Sequence, residues 1–180
     1  MIIHSQRLLF RPVTEADTDA LFRIYGDPAT NAFNPAGPHP SRAHSASVMA
    51  RWLNHWHEKG FGDWAIAAVG SPEHILGFGG LNVIHSGGQW MNNLGYRFET
   101  DAWGKGYATE FARHAVRYGF ETLNLSEISA RVRQHHLASQ NVLLKAGLAH
   151  TGTIDDVAGA PPSLLFCLNA ADWRQRQILR

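Results

Sequence analysis

The chain has 180 residues, enough for one domain with a sizeable core, and its 44% hydrophobic content, with six Trp and nine Phe, excludes a disordered chain. A formal net charge of +1 gives no field strong enough to imply nucleic acid or a membrane surface as partner. The lone cysteine, Cys167, cannot close an intramolecular disulfide, no secretory signal is legible in residues 1–12, and no run approaches the roughly 18–20 apolar residues of a membrane span, so the expectation is a soluble, cytoplasmic chain.

Residues 7–13 read as the first strand. Thr14, Glu15, Ala16 and Asp17 then open a helix, with a capping hydroxyl and acids in the first turn, and Ala16, Ala20, Leu21 and Ile24 give it an apolar stripe. Gly26, Asp27 and Pro28 stop it, and three prolines and a glycine mark 31–40 as loop. Ser41 caps a second helix reaching Glu58, faced by Val48, Met49, Trp52, Leu53 and Trp56 and ended by Lys59 and Gly60. Strands follow at 63–69, 75–83 and 89–98, joined by turn-rich pieces that suit antiparallel neighbours. From Tyr107 to Leu123, the residues Ala108, Phe111, Ala112, Ala115, Val116 and Phe120 fall on one helical face. Residues 127–133 alternate Ile128, Ala130 and Val132 against Ser129, Arg131 and Arg133, as a strand does. A helix at 138–146 ends at Gly147, and strands at 149–154 and 164–168 flank a loop at 159–162. Cys167, inside that last apolar run, reads as a small core residue. The order predicts α+β architecture in a single domain over residues 1–180, with antiparallel strands early and strand–helix–strand crossovers later.

The densest chemical signal is Trp103-Gly104-Lys105-Gly106-Tyr107-Ala108-Thr109, between a strand and the longest clear helix. Two glycines let the backbone approach a ligand closely, and the unpaired amides at the helix start carry the positive end of its dipole, so together they suit a pyrophosphate. Lys105 could add charge at the mouth. Taken alone, the same residues also describe nothing more than a tight connection. A P-loop is excluded because Gly-x4-Gly-Lys-Ser/Thr is absent, and a dinucleotide fingerprint because Thr109 stands where the third glycine belongs.

The surrounding sequence adds to this turn. Asn93-Leu94-Gly95-Tyr96-Arg97-Phe98 leads into it, and Ile128-Ser129-Ala130-Arg131-Val132, Ala138-Ser139 and Lys145-Ala146-Gly147-Leu148 follow. Arg7-Leu8-Leu9-Phe10-Arg11-Pro12 opens the chain and Ile75-Leu76-Gly77-Phe78-Gly79-Gly80-Leu81 lies mid-way. With these the chain resembles the GNAT superfamily of acetyl-coenzyme A-dependent N-acetyltransferases over nearly its whole length. Within it, the chain is similar to the branch of ribosomal-protein N-terminal (alanine/serine) acetyltransferases. Trp103, Gly106 and Ala108 take the three fixed places of the superfamily's Gln/Arg-x-x-Gly-x-Gly/Ala motif, with Trp in the first.

The resemblance implies a mixed, mostly antiparallel sheet of six to seven strands flanked by about four helices, with one splayed strand pair. It implies that backbone groups of Tyr96, Arg97 and Phe98 hold the pantetheine arm like an added strand and polarise the thioester carbonyl. The pyrophosphate falls to Trp103, Gly104, Lys105, Gly106, Tyr107, Ala108 and Thr109. The reaction it implies is direct attack by a neutral amine in a ternary complex, so Cys167 is no nucleophile. Ser139 matches the Ser of the family's Asn-x-x-Ser pattern and would assist the leaving thiolate, although on its residue type alone it is equally a helix N-cap. Asn141, further along that helix, is a second candidate to face the cofactor. Two residues depart from the pattern. Asn93 stands where the branch often has an acid that deprotonates the amine, and His136 replaces the Asn that contacts pantetheine. His136 is either a displaced base or a surface histidine.

Acetyl-coenzyme A is thus the expected co-substrate, with an amine acceptor that is a protein N-terminus or a small molecule. No metal is expected, since His55 and His57 lack the i, i+4 spacing of a helical zinc motif. Nucleic acid is an unfavoured partner for the small basic cluster of Arg131, Arg133, His135 and His136, and the chain is expected to be a monomer or homodimer. The competing class is a non-catalytic acyl-coenzyme A-binding module, which the absence of an acid at Asn93 keeps open.

Overall fold

Turn chemistry sets where the early elements begin and end. In the computed structural model, which describes residues 1–179, strands β1 (Ile3–His4) and β2 (Leu8–Pro12) form a hairpin with Ile3 opposite Phe10. Asp17 then accepts from the Thr14 amide at 2.8 Å and pairs with Arg11 at 2.8 Å, which ties the short 3-10 turn Glu15–Asp17 to the start of helix α1 (Thr18–Tyr25). Helix α2 (Arg42–Lys59) begins where Ser41 Oγ accepts from the His44 amide at 3.1 Å, and ends at Gly60 with a left-handed φ of 78°.

Strands β3 (Asp63–Ala68), β4 (Ser71–Ser86) and β5 (Gln89–Phe98) precede helix α3 (Tyr107–Arg117), which runs on through a π-helical turn, Tyr118–Thr122. Then come β6 (Glu127–Val132), α4 (Leu137–Lys145), β7 (Ala149–Ile154), β8 (Ser163–Asn169) and α5 (Ala170–Ile178). The strands form one mostly antiparallel sheet in the order β1-β2-β3-β4-β5-β6-β8-β7. Its parallel pair, β5 and β6, shares a single register position, Asn93 opposite Ser129, and is splayed. The α+β expectation with a splayed pair holds. Among the described residues the sheet has eight strands and five helices flank it, more than the six to seven strands and about four helices expected, because β1 and α5 add to the anticipated elements.

Two compact units make up the chain. In the first (residues 1–80 and 96–111), Val13, Leu21, Ile24, Val48, Met49, Ala65, Ile75 and Phe78 form an apolar cluster, with Tyr25, Trp52 and Trp56 packed against it. Phe111 lies edge-on to Phe10 at 5.5 Å and to Trp64 at 6.1 Å, which seats the start of α3 on the strands. In the second unit (81–95 and 112–180), Ile128, Ala130, Val132, Phe166 and Leu168 are buried, and Phe120 stacks on Trp173 of α5 at 5.4 Å. Strand alternation places Cys167 on the other face of β8 from Phe166 and Leu168. It is therefore half-buried beside Ser129 and Thr151 rather than in the core. Among the described residues, no helix is long and apolar enough to cross a membrane.

Candidate functional site

Backbone conformation explains the glycines of the turn before α3. Gly104 and Gly106 have φ of 75° and 79°, in the left-handed region that side chains disfavour. A Cβ at Gly104 would meet nothing, whereas one at Gly106 would come within 3.3 Å of the Arg7 guanidinium. Both positions thus need glycine for conformation, and at position 106 an added Cβ would also press on Arg7. On the near side, the Trp103 indole N–H donates to the Phe98 carbonyl at 3.0 Å, which fastens the turn to the end of β5.

On the far side, Arg7 organises the turn from just ahead of β2. Its guanidinium donates to the Lys105 carbonyl at 2.7 Å and lies 4.8 Å above the Tyr107 ring. Glu110, in the first turn of α3, accepts from the Arg7 amide at 2.8 Å, from Arg7 Nε at 2.7 Å and from the Ser5 hydroxyl. Burial pushes the Glu110 carboxyl up, but these donors outweigh it and hold the group below the usual carboxylate range. Glu110 thereby remains an anion already matched by Arg7. Among the described residues, the amides of Gly104, Lys105 and Gly106 donate to no protein acceptor. Ala108 and Thr109 follow in the first helical turn, where amides lack an i−4 partner. The result is a row of donors at the positive end of a helix, suited to a phosphate or pyrophosphate.

Along β5, successive side chains take opposite faces. Tyr96 lies 6.2 Å from Phe111 of α3, and the buried Phe98 also faces Phe111, at 6.5 Å. Arg97 turns the other way, over the Tyr25 ring at 4.3 Å, and donates to Asn31 Oδ1 at 2.7 Å. The first unit therefore brings together Tyr96, Arg97, Phe98 and the whole run from Trp103 to Thr109.

The remaining candidates belong to the second unit. Asn93 Oδ1 accepts from Arg131 Nε at 3.3 Å, and Arg131 also donates to Ser86 Oγ at 3.1 Å. Asp156 lies 3.7 Å from Arg131 and 3.6 Å from Arg133, so much of the expected basic cluster is spent on one acid. Burial lowers the Arg131 pKa more than Asp156 raises it. Asn93 is thus held by a cation, and an amide so placed takes no proton at neutral pH.

His136 occupies the N-cap position of α4 without a side-chain cap bond, and Ser139 is the helix's third residue. The capping alternative for Ser139 therefore fails. The entry to α4 is tied instead by Gln140 Nε2, which donates to the Gln134 carbonyl at 2.9 Å and the Arg133 carbonyl at 3.3 Å. Asn141 is exposed on the same helix. Among the described residues, no three His, Cys, Asp or Glu side chains group so as to hold a metal ion.

Sequence reasoning missed the parts played by Ser5, Arg7 and Glu110, and the Tyr25–Asn31–Arg97 set. Ser5 lies 105 residues from Glu110 and Asn31 lies 66 from Arg97, and no local pattern links these pairs.

Known proteins share the family and the fold of this chain. The model of the acetyltransferase (GNAT) domain matches residues 7–149. The uncharacterized N-acetyltransferase YoaA of Bacillus subtilis (strain 168) is 28% identical over 155 residues, which cover 85% of each chain. Among solved structures, the acetyltransferase from Agrobacterium tumefaciens str. C58 superposes with a TM-score of 0.79 at 24% identity, over 94% of each chain. Spermidine N-acetyltransferase from Vibrio cholerae, solved in complex with CoA and spermine, superposes with a TM-score of 0.74 at 15% identity, over 94% of this chain and 99% of that one.

Proposed function

This chain belongs to the acetyltransferase (GNAT) domain family and is an acetyl-coenzyme A-dependent N-acetyltransferase, and we propose that its preferred acceptor is a weakly basic amine, above all a protein or peptide α-amine. The observation that carries the cofactor assignment is the turn at residues 104–106, whose amides are left without protein acceptors while Arg7 occupies the Lys105 carbonyl.

In this reading, backbone donors from Gly104 to Thr109 hold the pyrophosphate, and the backbone of Tyr96, Arg97 and Phe98 lies along the pantetheine arm. The neutral amine nitrogen attacks the thioester carbon. As the C–N bond forms, the carbonyl oxygen gains charge that a backbone amide of β5 stabilises. The C–S bond then breaks, coenzyme A leaves as thiolate, and the new ammonium loses its proton. Ser139 assists the departing sulfur, and His136 and Asn141 border the cofactor.

The preference for an α-amine follows from Asn93. At pH 7 a lysine side chain with pKa near 10.4 is about 0.04% neutral, whereas an α-amine near 7.7 is about 17% neutral, roughly a 400-fold difference in attacking species. A site whose branch-typical acid is an amide bound to Arg131 favours the amine that needs no base. Assignment to the ribosomal-protein N-terminal branch, and a cytoplasmic location, are consistent with such an acceptor. The test is kcat/KM, read as free thiol from pH 6 to 9, for matched peptides bearing either a free N-terminus or one internal lysine. The α-amine peptide should win and its rate should rise with pH. A lysine preference at pH 7 would contradict the proposal. In the same assay Ser139→Ala should lower kcat and leave acetyl-coenzyme A affinity nearly unchanged, and an unchanged kcat would remove Ser139 from the chemistry.

A further inference from the structure

Arg97 is a cation with no acid to answer it. Among the described residues it forms no ion pair, and its one side-chain hydrogen bond is to Asn31 Oδ1 at 2.7 Å. A guanidinium has five N–H donors, so most of this fork is uncommitted. Its position, by contrast, is closely fixed. Asn31 is buried, and its Nδ2 donates to the carbonyls of Tyr25 at 2.9 Å and Asp27 at 2.8 Å, which compels its Oδ1 to face Arg97. Asn34 Nδ2 donates to that same oxygen at 3.0 Å. The Tyr25 ring, 4.3 Å from the guanidinium carbon, covers one face and leaves the planar edge for a ligand. Tyr25 in turn packs edge-on against Trp52 at 5.8 Å and Phe78 at 6.1 Å, so the platform beneath the cation is rigid and apolar.

His39 stacks beside Tyr25 at 5.3 Å, and its Nδ1 lies 2.7 Å from the Ser45 hydroxyl. Burial, then His44, Arg97 and Arg51, push the His39 imidazole down to about 4, so it is neutral at pH 7. The acid that bears on this group is Asp63, which acts on Tyr25, whose hydroxyl is held in its protonated form chiefly by burial.

We propose that Arg97, held by Asn31 and Tyr25, is an oxyanion subsite that receives a carboxylate carried by the acceptor amine. This rests on the acetyl-transfer reading and adds the class of acceptor. The cofactor's own phosphates are excluded by the alternation of β5: Tyr96 faces α3, the helix whose entry turn suits the pyrophosphate, and Arg97 faces the opposite way, toward α1 and the loop after it. A single guanidinium beside a neutral imidazole matches a monoanion, and its planar fork matches a carboxylate.

The test pairs C-terminally amidated peptides with a free N-terminal Ala followed by Glu or Gln, and by Asp or Asn, whose α-amines titrate alike. The acidic member should have the higher kcat/KM by about tenfold or more. Arg97→Met should bring the ratio to near one, and Arg97→Lys, which keeps charge but loses the fork, should restore part of it. An equal rate for both members with wild type, or a preference that survives Arg97→Met, would overturn the proposal. An independent arm needs no turnover. Acetate titrated at pH 7 into wild type should shift the His39 ring resonances saturably in NMR spectra, and should not do so in Arg97→Met. No response to acetate, or a response to inorganic phosphate alone, would also overturn it. Thiol release absent with every peptide would count against acetyl transfer, and the acetate titration then decides the subsite separately.

Discussion

Glu110 occupies a place where a carboxylate would compete with a bound phosphate, and its three donors explain why it does not. Ser5 and Arg7 consume its charge from outside α3, so the helix start keeps its positive end for a ligand. The folded-state pKa is depressed, so the stabilisation is present above the unfolded value near 4.3 and is lost as pH falls through the folded pKa. Glu110→Gln should therefore cost about 1–2 kcal/mol at pH 7 and progressively less below pH 4. Urea unfolding of both proteins across that range checks this, and a gap that widens in acid would refute it. None of this was legible in the sequence. The glycines that need left-handed φ could be read at positions 104 and 106, because the residue type itself reports the requirement. A salt bridge between residues 7 and 110 leaves no such local mark.

Among the elements, legibility followed the strength of local signals. Ser41 and Gly60 bracket α2 as a capping hydroxyl and a left-handed terminator should, and the single apolar face of α3 gave its start at Tyr107. Helix α5 was missed because it has hardly any apolar stripe. Its mark is the cap alone, Asn169 Oδ1 accepting from the Asp172 amide at 2.8 Å. Strand β1 has two residues, too few for any period to register. The glycines of β4 carry a different message, one of space. A Cβ on Gly80 would lie 2.2 Å from the Gly62 carbonyl oxygen, a backbone atom that cannot swing aside, whereas a Cβ on Gly152 of β7 would meet nothing within 4 Å. Gly80→Ala should lose about 2–3 kcal/mol by urea denaturation and Gly152→Ala almost nothing. Equal effects would mean that the close approach of β3 and β4 does not constrain position 80.

For the molecule as a whole, the family assignment joins a motif read from the sequence to a turn suited to an anion. The acceptor was less legible. Its proposed recognition depends on Arg97 meeting Tyr25 and Asn31 from a segment 66 residues away, while the residue that the family resemblance singles out, Asn93, is engaged by Arg131. The central claim is that this chain turns over acetyl-coenzyme A by acetylating an amine, and does not merely bind it. The most direct measurement is free-thiol release from acetyl-coenzyme A with a peptide bearing a free N-terminus, set against the same peptide with that terminus blocked, with product mass read in parallel. The account predicts thiol release that depends on the free amine and is matched mole for mole by acetylated peptide. Saturable binding of acetyl-coenzyme A with no amine-dependent thiol release, for this peptide or any other amine, would contradict it.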